Sequence, residues 1–125
     1  MKLHLANPAT QHLITRYDAE FVQVGERRVS GPSLVVCPER VIEPWGVANV
    51  AALAAADFQK LLELTPEIVL LGTGSRLRFP APPLTRCLAE AHIGLEVMDL
   101  GAACRTYNIL AGEGRRVAAA LILQD

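Results

Sequence analysis

The chain has 125 residues, about half of them apolar, and twelve basic against thirteen acidic side chains give it a formal net charge of −1. That length fits one domain, 1–125, burying roughly two-thirds of the surface its unfolded chain exposes, and the near-zero charge excludes a nucleic-acid or membrane binder that works by bulk charge. Cys37, Cys87 and Cys104 stand far apart in apolar segments with no ligand-like spacing, so they read as small buried hydrophobes in a reducing, cytoplasmic compartment, with no metal site.

Residues 1–12 are polar and irregular, and Asn7-Pro8 interrupts any signal-like start. No apolar run approaches the ~18 residues of a membrane span. From Ile14 to Val24 the pattern is extended, and Gly25-Glu26 is the two-residue loop of a hairpin to Arg27-Arg28-Val29. Leu34 to Cys37 predicts a buried strand ended by Pro38, and Val41 to Trp45 a short extended piece in which Pro44 marks an edge or a non-strand. Ala54, Phe58, Leu61 and Leu62 share one face of a first helix stopped by Pro66. Ile68 to Leu71 is a wholly apolar strand, followed by the loop Gly72-Thr73-Gly74-Ser75. Pro82-Pro83 opens a second helix with Leu84, Cys87, Leu88 and Ala91 inside and Gly94 as its stop. Leu95 to Met98 alternates and predicts an edge strand. Residues 102–112 predict a third helix, with Ala103, Tyr107, Leu110 and Ala111 inward, before a last strand over 116–123. The strands 34–37, 68–71 and 116–123, apolar on both faces, belong in the middle of a covered sheet. Strands alternating with helices give a layered α/β fold.

Several stretches resemble a family of small stand-alone domains. They are Leu70-Leu71-Gly72-Thr73-Gly74, Val97-Met98-Asp99, Ala103 through Asn108, and Glu113-x-Arg115-Arg116-Val117 with the alanines after it. Tyr17, the Gly31-x-x-Leu34-Val35 strand and Trp45 fit as well, and Leu100 stands where the pattern leads one to expect Thr. The family is that of the adipogenesis-associated Mth-type domain and of a mitochondrial assembly factor of respiratory complex I, and the likeness spans roughly 14–123. It implies a three-layer α/β fold, a central mixed sheet of about five strands with helices on both faces, and an N-terminal β hairpin unit. It also implies a last strand antiparallel to its neighbours, where a β-α-β count alone gives a parallel one. Its eukaryotic members imply assembly or interaction roles. Its bacterial members bring no settled reaction.

Two constellations could hold a ligand. Gly72, Thr73, Gly74 and Ser75 follow a buried strand, and Asp99 follows its neighbour, at the carboxyl ends where α/β sheets gather ligands. With Arg76, Arg105 and a helix N-terminus, they could hold a small anion. The alternative is that the glycines only supply turn dihedrals, since a dinucleotide fingerprint needs a third Gly where Leu77 stands. Arg105, Thr106 and Asn108 form the second group. Arg105 and Asn108 share a helix face while Tyr107 points to the core. They could bind a carboxylate or phosphate. Equally, Arg105 could pair with Asp99 or Glu113 while Asn108 satisfies backbone of the adjacent loop.

Nucleophilic catalysis lacks a base for Ser75 or Cys104. His4 and His12 sit in the irregular start, and His92 at a helix end suits contact with helix carbonyls. No catalytic residue, cofactor or metal is therefore expected. Glu39, Arg40 and Glu43 read as a solvated loop. Trp45 is either an interface anchor or a lid on the core. The reading that follows is a non-enzymatic interaction or assembly-factor-like module. Its partner is another protein or a second copy, docked on an apolar patch around Trp45 or the edge strand 95–98. The alternative is a small-anion-binding protein or enzyme with a cleft between Gly72–Ser75 and Arg105–Asn108.

Overall fold

A computed structural model describes residues 11–124. The expectation of an irregular start, and His4 within it, falls for residues 1–10 outside the described residues. Eight strands and three α-helices follow in order: β1 Ile14–Tyr17, β2 Phe21–Val24, β3 Arg27–Ser30, β4 Ser33–Val36, β5 Val41–Ile42, α1 Ala55–Leu61, β6 Ile68–Thr73, α2 Arg86–Glu90, β7 Gly94–Met98, α3 Leu100–Gly112 and β8 Val117–Ile122. A five-stranded mixed sheet runs β5-β4-β8-β6-β7, and β1-β2-β3 form a separate antiparallel sheet.

Burial explains the strand order. All six residues of β8 are buried, and they alternate between two cores. Val117, Ala119 and Leu121 join Tyr107 and Ala111 of α3 and Val22 and Val29 of the hairpin sheet. Ala118, Ala120 and Ile122 join Phe58 and Leu61 of α1 and Leu88 of α2 on the other face. A strand apolar on both faces has to lie between two layers, and β8 sits at the centre as expected. Each fully buried Leu or Phe contributes about 1.5–3 kcal/mol, so both layers are anchored by many such side chains. β7 alternates and forms the expected edge.

The direction of β8 corrects the family expectation. It is antiparallel to β4 but parallel to β6, with Ile68 opposite Val117 and Thr73 opposite Ile122. The connection from β6 to β7, also parallel, and on to β8 is made by helices, as crossover connections require. The β-α-β count therefore holds on one side of β8 and the resemblance on the other.

Local departures have local causes. The extended run 14–24 is two strands, turned by Asp18, whose Oδ1 accepts from the N–H of Glu20 and Phe21 at 2.7 and 3.1 Å. Gly25 takes φ +60° in the two-residue β2–β3 loop, the value its place in the hairpin needs. Ala54 is an exposed N-cap rather than part of the inner face of α1, and Asp57 Oδ2 accepts from its N–H. The helix tightens over Leu62–Leu64 and stops at Thr65, φ +47°, just before Pro66. Pro82–Thr85 forms a 3-10 turn leading into α2, and Ala91 is exposed rather than inside. His92, not Gly94, holds the left-handed position after α2, at φ +60°, and Gly94 opens β7 instead. The His92 backbone N–H bonds the Ala89 carbonyl.

Trp45 is a lid. It is 3% exposed, sets its ring edge against Phe58 at 6.2 Å, and donates its indole N–H to the Asp57 carbonyl at 3.3 Å. Trp45 itself therefore adds no exposed ring to the patch expected around it. Of the expected solvated loop, Glu43 pairs with Arg27. Among the described residues no helix is long and apolar enough to cross a membrane.

Candidate functional site

The end of β6 is shaped by close packing. Gly72 lies in the strand without a positive φ, so turn geometry does not explain it. A Cβ there would stand 3.0 Å from Leu121 Cδ2 and 3.1 Å from Ala103 Cβ. Gly72 thus lets α3 press onto the sheet. Thr73 is fully buried and its hydroxyl is fully engaged. It donates to the Arg76 carbonyl at 2.8 Å, lies 3.3 Å from the Met98 carbonyl, and accepts from the Arg78 N–H at 3.2 Å. Gly74 alone of this group needs a left-handed backbone, φ +77°, and its carbonyl accepts from the Leu100 N–H at 2.8 Å.

That last bond joins the loop to α3, which starts at Leu100, two residues before the expected Ala102. Asp99 caps it, its Oδ1 accepting from Ala102 N–H at 2.9 Å, a cap worth about 1 kcal/mol. Further along the helix Asn108 grips β1 twice. Its Oδ1 accepts from Ile14 N–H at 2.9 Å and its Nδ2 donates to the Ile14 carbonyl at 2.7 Å. The backbone it satisfies belongs to a distant strand rather than the adjacent loop. Tyr107, fully buried, donates its hydroxyl to the His12 carbonyl. Arg105 meets neither Asp99 nor Glu113; its Nη1 donates to the Tyr17 hydroxyl at 2.6 Å. Gly101 makes room for this pair, since a Cβ there would fall 3.1 Å from Arg105 Nη1 and 3.2 Å from the Tyr17 ring.

A cleft of about 250 Å³ opens where these elements meet. Gly74 and Ser75 form one wall, and Asp99, Leu100 and Gly101 form the helix side. The β1–β2 turn brings Tyr17, Asp18 and Ala19, and Leu123 closes the floor. The structure therefore gathers Gly74, Ser75 and Asp99 of the expected residues, with Arg105 held at the rim through Tyr17. Gly72 and Thr73 lie buried beneath, while Thr106 and Asn108 lie outside the lining. Asp18, Ala19, Gly101 and Leu123 were not singled out by sequence. An Asp beginning a tight turn was the available signal for Asp18.

The charge at the cleft differs from expectation. Two carboxylates, Asp18 and Asp99, line it, and neither forms an ion pair among the described residues. Beneath it the core is resistant to ionisation. Burial pushes the Cys104 thiol up to about 12 and Cys37 up to about 11, and raises Tyr107 as well. Neither buried thiol is a nucleophile at neutral pH. At the opposite end of β8, Glu67 is held below its usual range by the Arg116 N–H and then by the Arg115 side chain. Among the described residues no group of three or more His, Cys, Asp or Glu could hold a metal ion.

Known proteins share this fold. Over 111 residues the chain is 35% identical to the NADH dehydrogenase [ubiquinone] 1 alpha subcomplex assembly factor 3 of Bos taurus, covering 87% of this chain and 59% of that protein. It thus spans less than two-thirds of that relative's length. A crystal structure of a Bordetella parapertussis protein superposes with a TM-score of 0.84 at 37% identity, covering 90% of this chain and 96% of that one. A solution structure from Bordetella pertussis, described as a Mth938-like domain, gives 0.81 at 32% identity, covering 98% of this chain and 92% of that one. The family model for a protein of unknown function, DUF498/DUF598, matches residues 14–122, and the chain belongs to that family.

Proposed function

We propose that the chain is a non-enzymatic interaction module that assists the assembly of a larger protein complex. The observation that carries this reading is how its polar residues are used. Asn108, Thr73 and Asp99 bond backbone groups of the fold itself. Large apolar side chains meanwhile face water, with Phe79 72% and Leu77 51% exposed. Exposed apolar groups of that size mark contact surfaces when they cluster. The assembly-factor name of the Bos taurus relative supports the same reading. The test is purification of the tagged chain from its native host after mild crosslinking. A stoichiometric set of subunits of one complex is expected. Recovery of the chain without any such set overturns the proposal.

The alternative, a small-ligand protein, is supported by the 250 Å³ cleft and by Arg105 at its rim. Asp18 and Asp99 oppose an anion there and favour a cationic group. Thermal-shift screening of small anions against small amines separates the two charges. A rise in Tm with an anion, abolished by Arg105→Ala, restores the anion reading.

A further inference from the structure

The segment after Gly74 alternates cations with apolar side chains: Arg76, Leu77, Arg78, Phe79. Phe79 is the most exposed large apolar residue of the described chain, and neither arginine forms an ion pair among the described residues. The loop is also shaped in advance. The buried Thr73 hydroxyl bonds both the Arg76 carbonyl and the Arg78 N–H, and so bends the chain outward around Leu77. A contact loop already held in shape loses less entropy when it binds.

The cleft begins at Gly74 and Ser75, immediately before this loop. Its apolar walls include Leu100 and Leu123, and its carboxylates are Asp18 and Asp99. A cavity of ~150 Å³ suffices for benzene, so the 250 Å³ here accommodates a phenyl ring. The molecule thus shows an aromatic ring preceded by two arginines, on a loop that begins at the wall of an apolar hollow lined by two aspartates. Phe79, being exposed, does not fill its own cleft. Two complementary features left unpaired within one copy can pair between two copies about a two-fold axis, each copy giving its loop to the other.

We infer that two copies of this chain associate about a two-fold axis, the Phe79 ring of each entering the other's Tyr17–Asp99 cleft while Arg76 and Arg78 face Asp18 and Asp99. This rests on the interaction reading and adds to it a partner, the chain itself, and a surface. The two insertions are equivalent and independent, and that property supplies the test.

Self-association is measured by sedimentation equilibrium over a range of concentrations, with Tm recorded for every variant. The wild type dimerises. Phe79→Ser keeps the cleft and loses the loop anchor; Ala19→Trp keeps the loop and blocks the cleft. A homodimer of either variant loses both insertions, so each alone weakens the dimer by at least ~30-fold, the usual effect of losing even one hot-spot aromatic. Mixed together they form a heterodimer through the one insertion still possible, and each remains folded. Arg76→Glu with Arg78→Glu weakens the dimer as well, and added salt weakens the wild type. A wild type that is monomeric at every concentration overturns the inference. So does a Phe79→Ser dimer of wild-type strength, or a folded mixture that stays monomeric. A monomer whose Tm rises with putrescine gives the cleft to a small cation and overturns it too. If such a monomer still purifies with a multi-subunit complex, the dimer fails and the interaction reading stands; a dimer recovered without any complex has the opposite meaning.

Discussion

The loop after β6 and the helix α3 meet at one cleft, yet they use their polar atoms in opposite ways. In α3, Asn108 and Tyr107 reach across more than ninety positions of sequence to hold Ile14 and His12. At the end of β6, Thr73 bonds Arg76 and Arg78, three and five residues away, and lies 3.3 Å from the Met98 carbonyl. The helix spends its polarity on tertiary attachment, so its losses fall on stability. The loop spends most of its polarity on its own shape, and its outward side chains Leu77 and Phe79 are exposed and available for contact. Similar-looking polar stretches therefore have different roles, decided by where their hydrogen-bond partners lie.

Alkali attacks the helix side most strongly. Cys104 is raised from 9.0 to about 12, so above pH 9 the unfolded chain releases this proton while the folded chain keeps it. Its contribution is complete below pH 9 and is lost as pH rises toward 12, on the order of 4 kcal/mol for three units. Urea midpoints at pH 8 and pH 10.5 measure the fall, and Cys104→Ala should reduce it, with the raised Cys37 and Tyr107 supplying the remainder. An unchanged slope in that variant means the thiol is not the source.

Asn108→Ala strands both backbone groups of Ile14 and should cost about 2–3 kcal/mol in denaturant titrations. A cost below ~0.5 kcal/mol, the range of ordinary surface changes, would erase the contrast drawn above. Thr73→Val keeps the shape but removes the loop's internal bonds. It should cost about 1–2 kcal/mol, and amide exchange at Arg78 should accelerate. Arg105→Ala removes one exposed hydrogen bond to Tyr17 and should cost less than about 1 kcal/mol. A larger loss would place Arg105 among the structural residues with Asn108. Phe79→Ser should leave monomer stability within about 0.5 kcal/mol, as surface changes do, and any sizeable drop would show the ring to be packed.

Much of the layering was legible in sequence because it is periodic. β8 reads as a covered strand from Val117 to Ile122 without reference to anything else, and α3 shows its inner face through Ala103, Tyr107 and Ala111. The direction of β8 was not legible from one rule, because its two neighbours obey different ones. His92 takes the left-handed position expected of Gly94, because the turn after α2 closes before Gly94 and leaves it in β7. The site was readable only in part. Gly74, Ser75 and Asp99 announce themselves by following strands, but Tyr17 and Asp18 arrive from a different sheet. The role of Asn108 depends on Ile14, and no local spacing encodes a partner that remote.

The place of β8 also bears on how the protein is made. Among the described residues, β4 and β5 on one side and β6 and β7 on the other are joined by strand pairing only through β8, which follows all four of them along the chain. Until Ile122 leaves the ribosome, two half-sheets wait with their inner edges bare. Such edges are templates for aggregation, so nascent chains stalled before residue 117 should need chaperone cover that the finished protein does not.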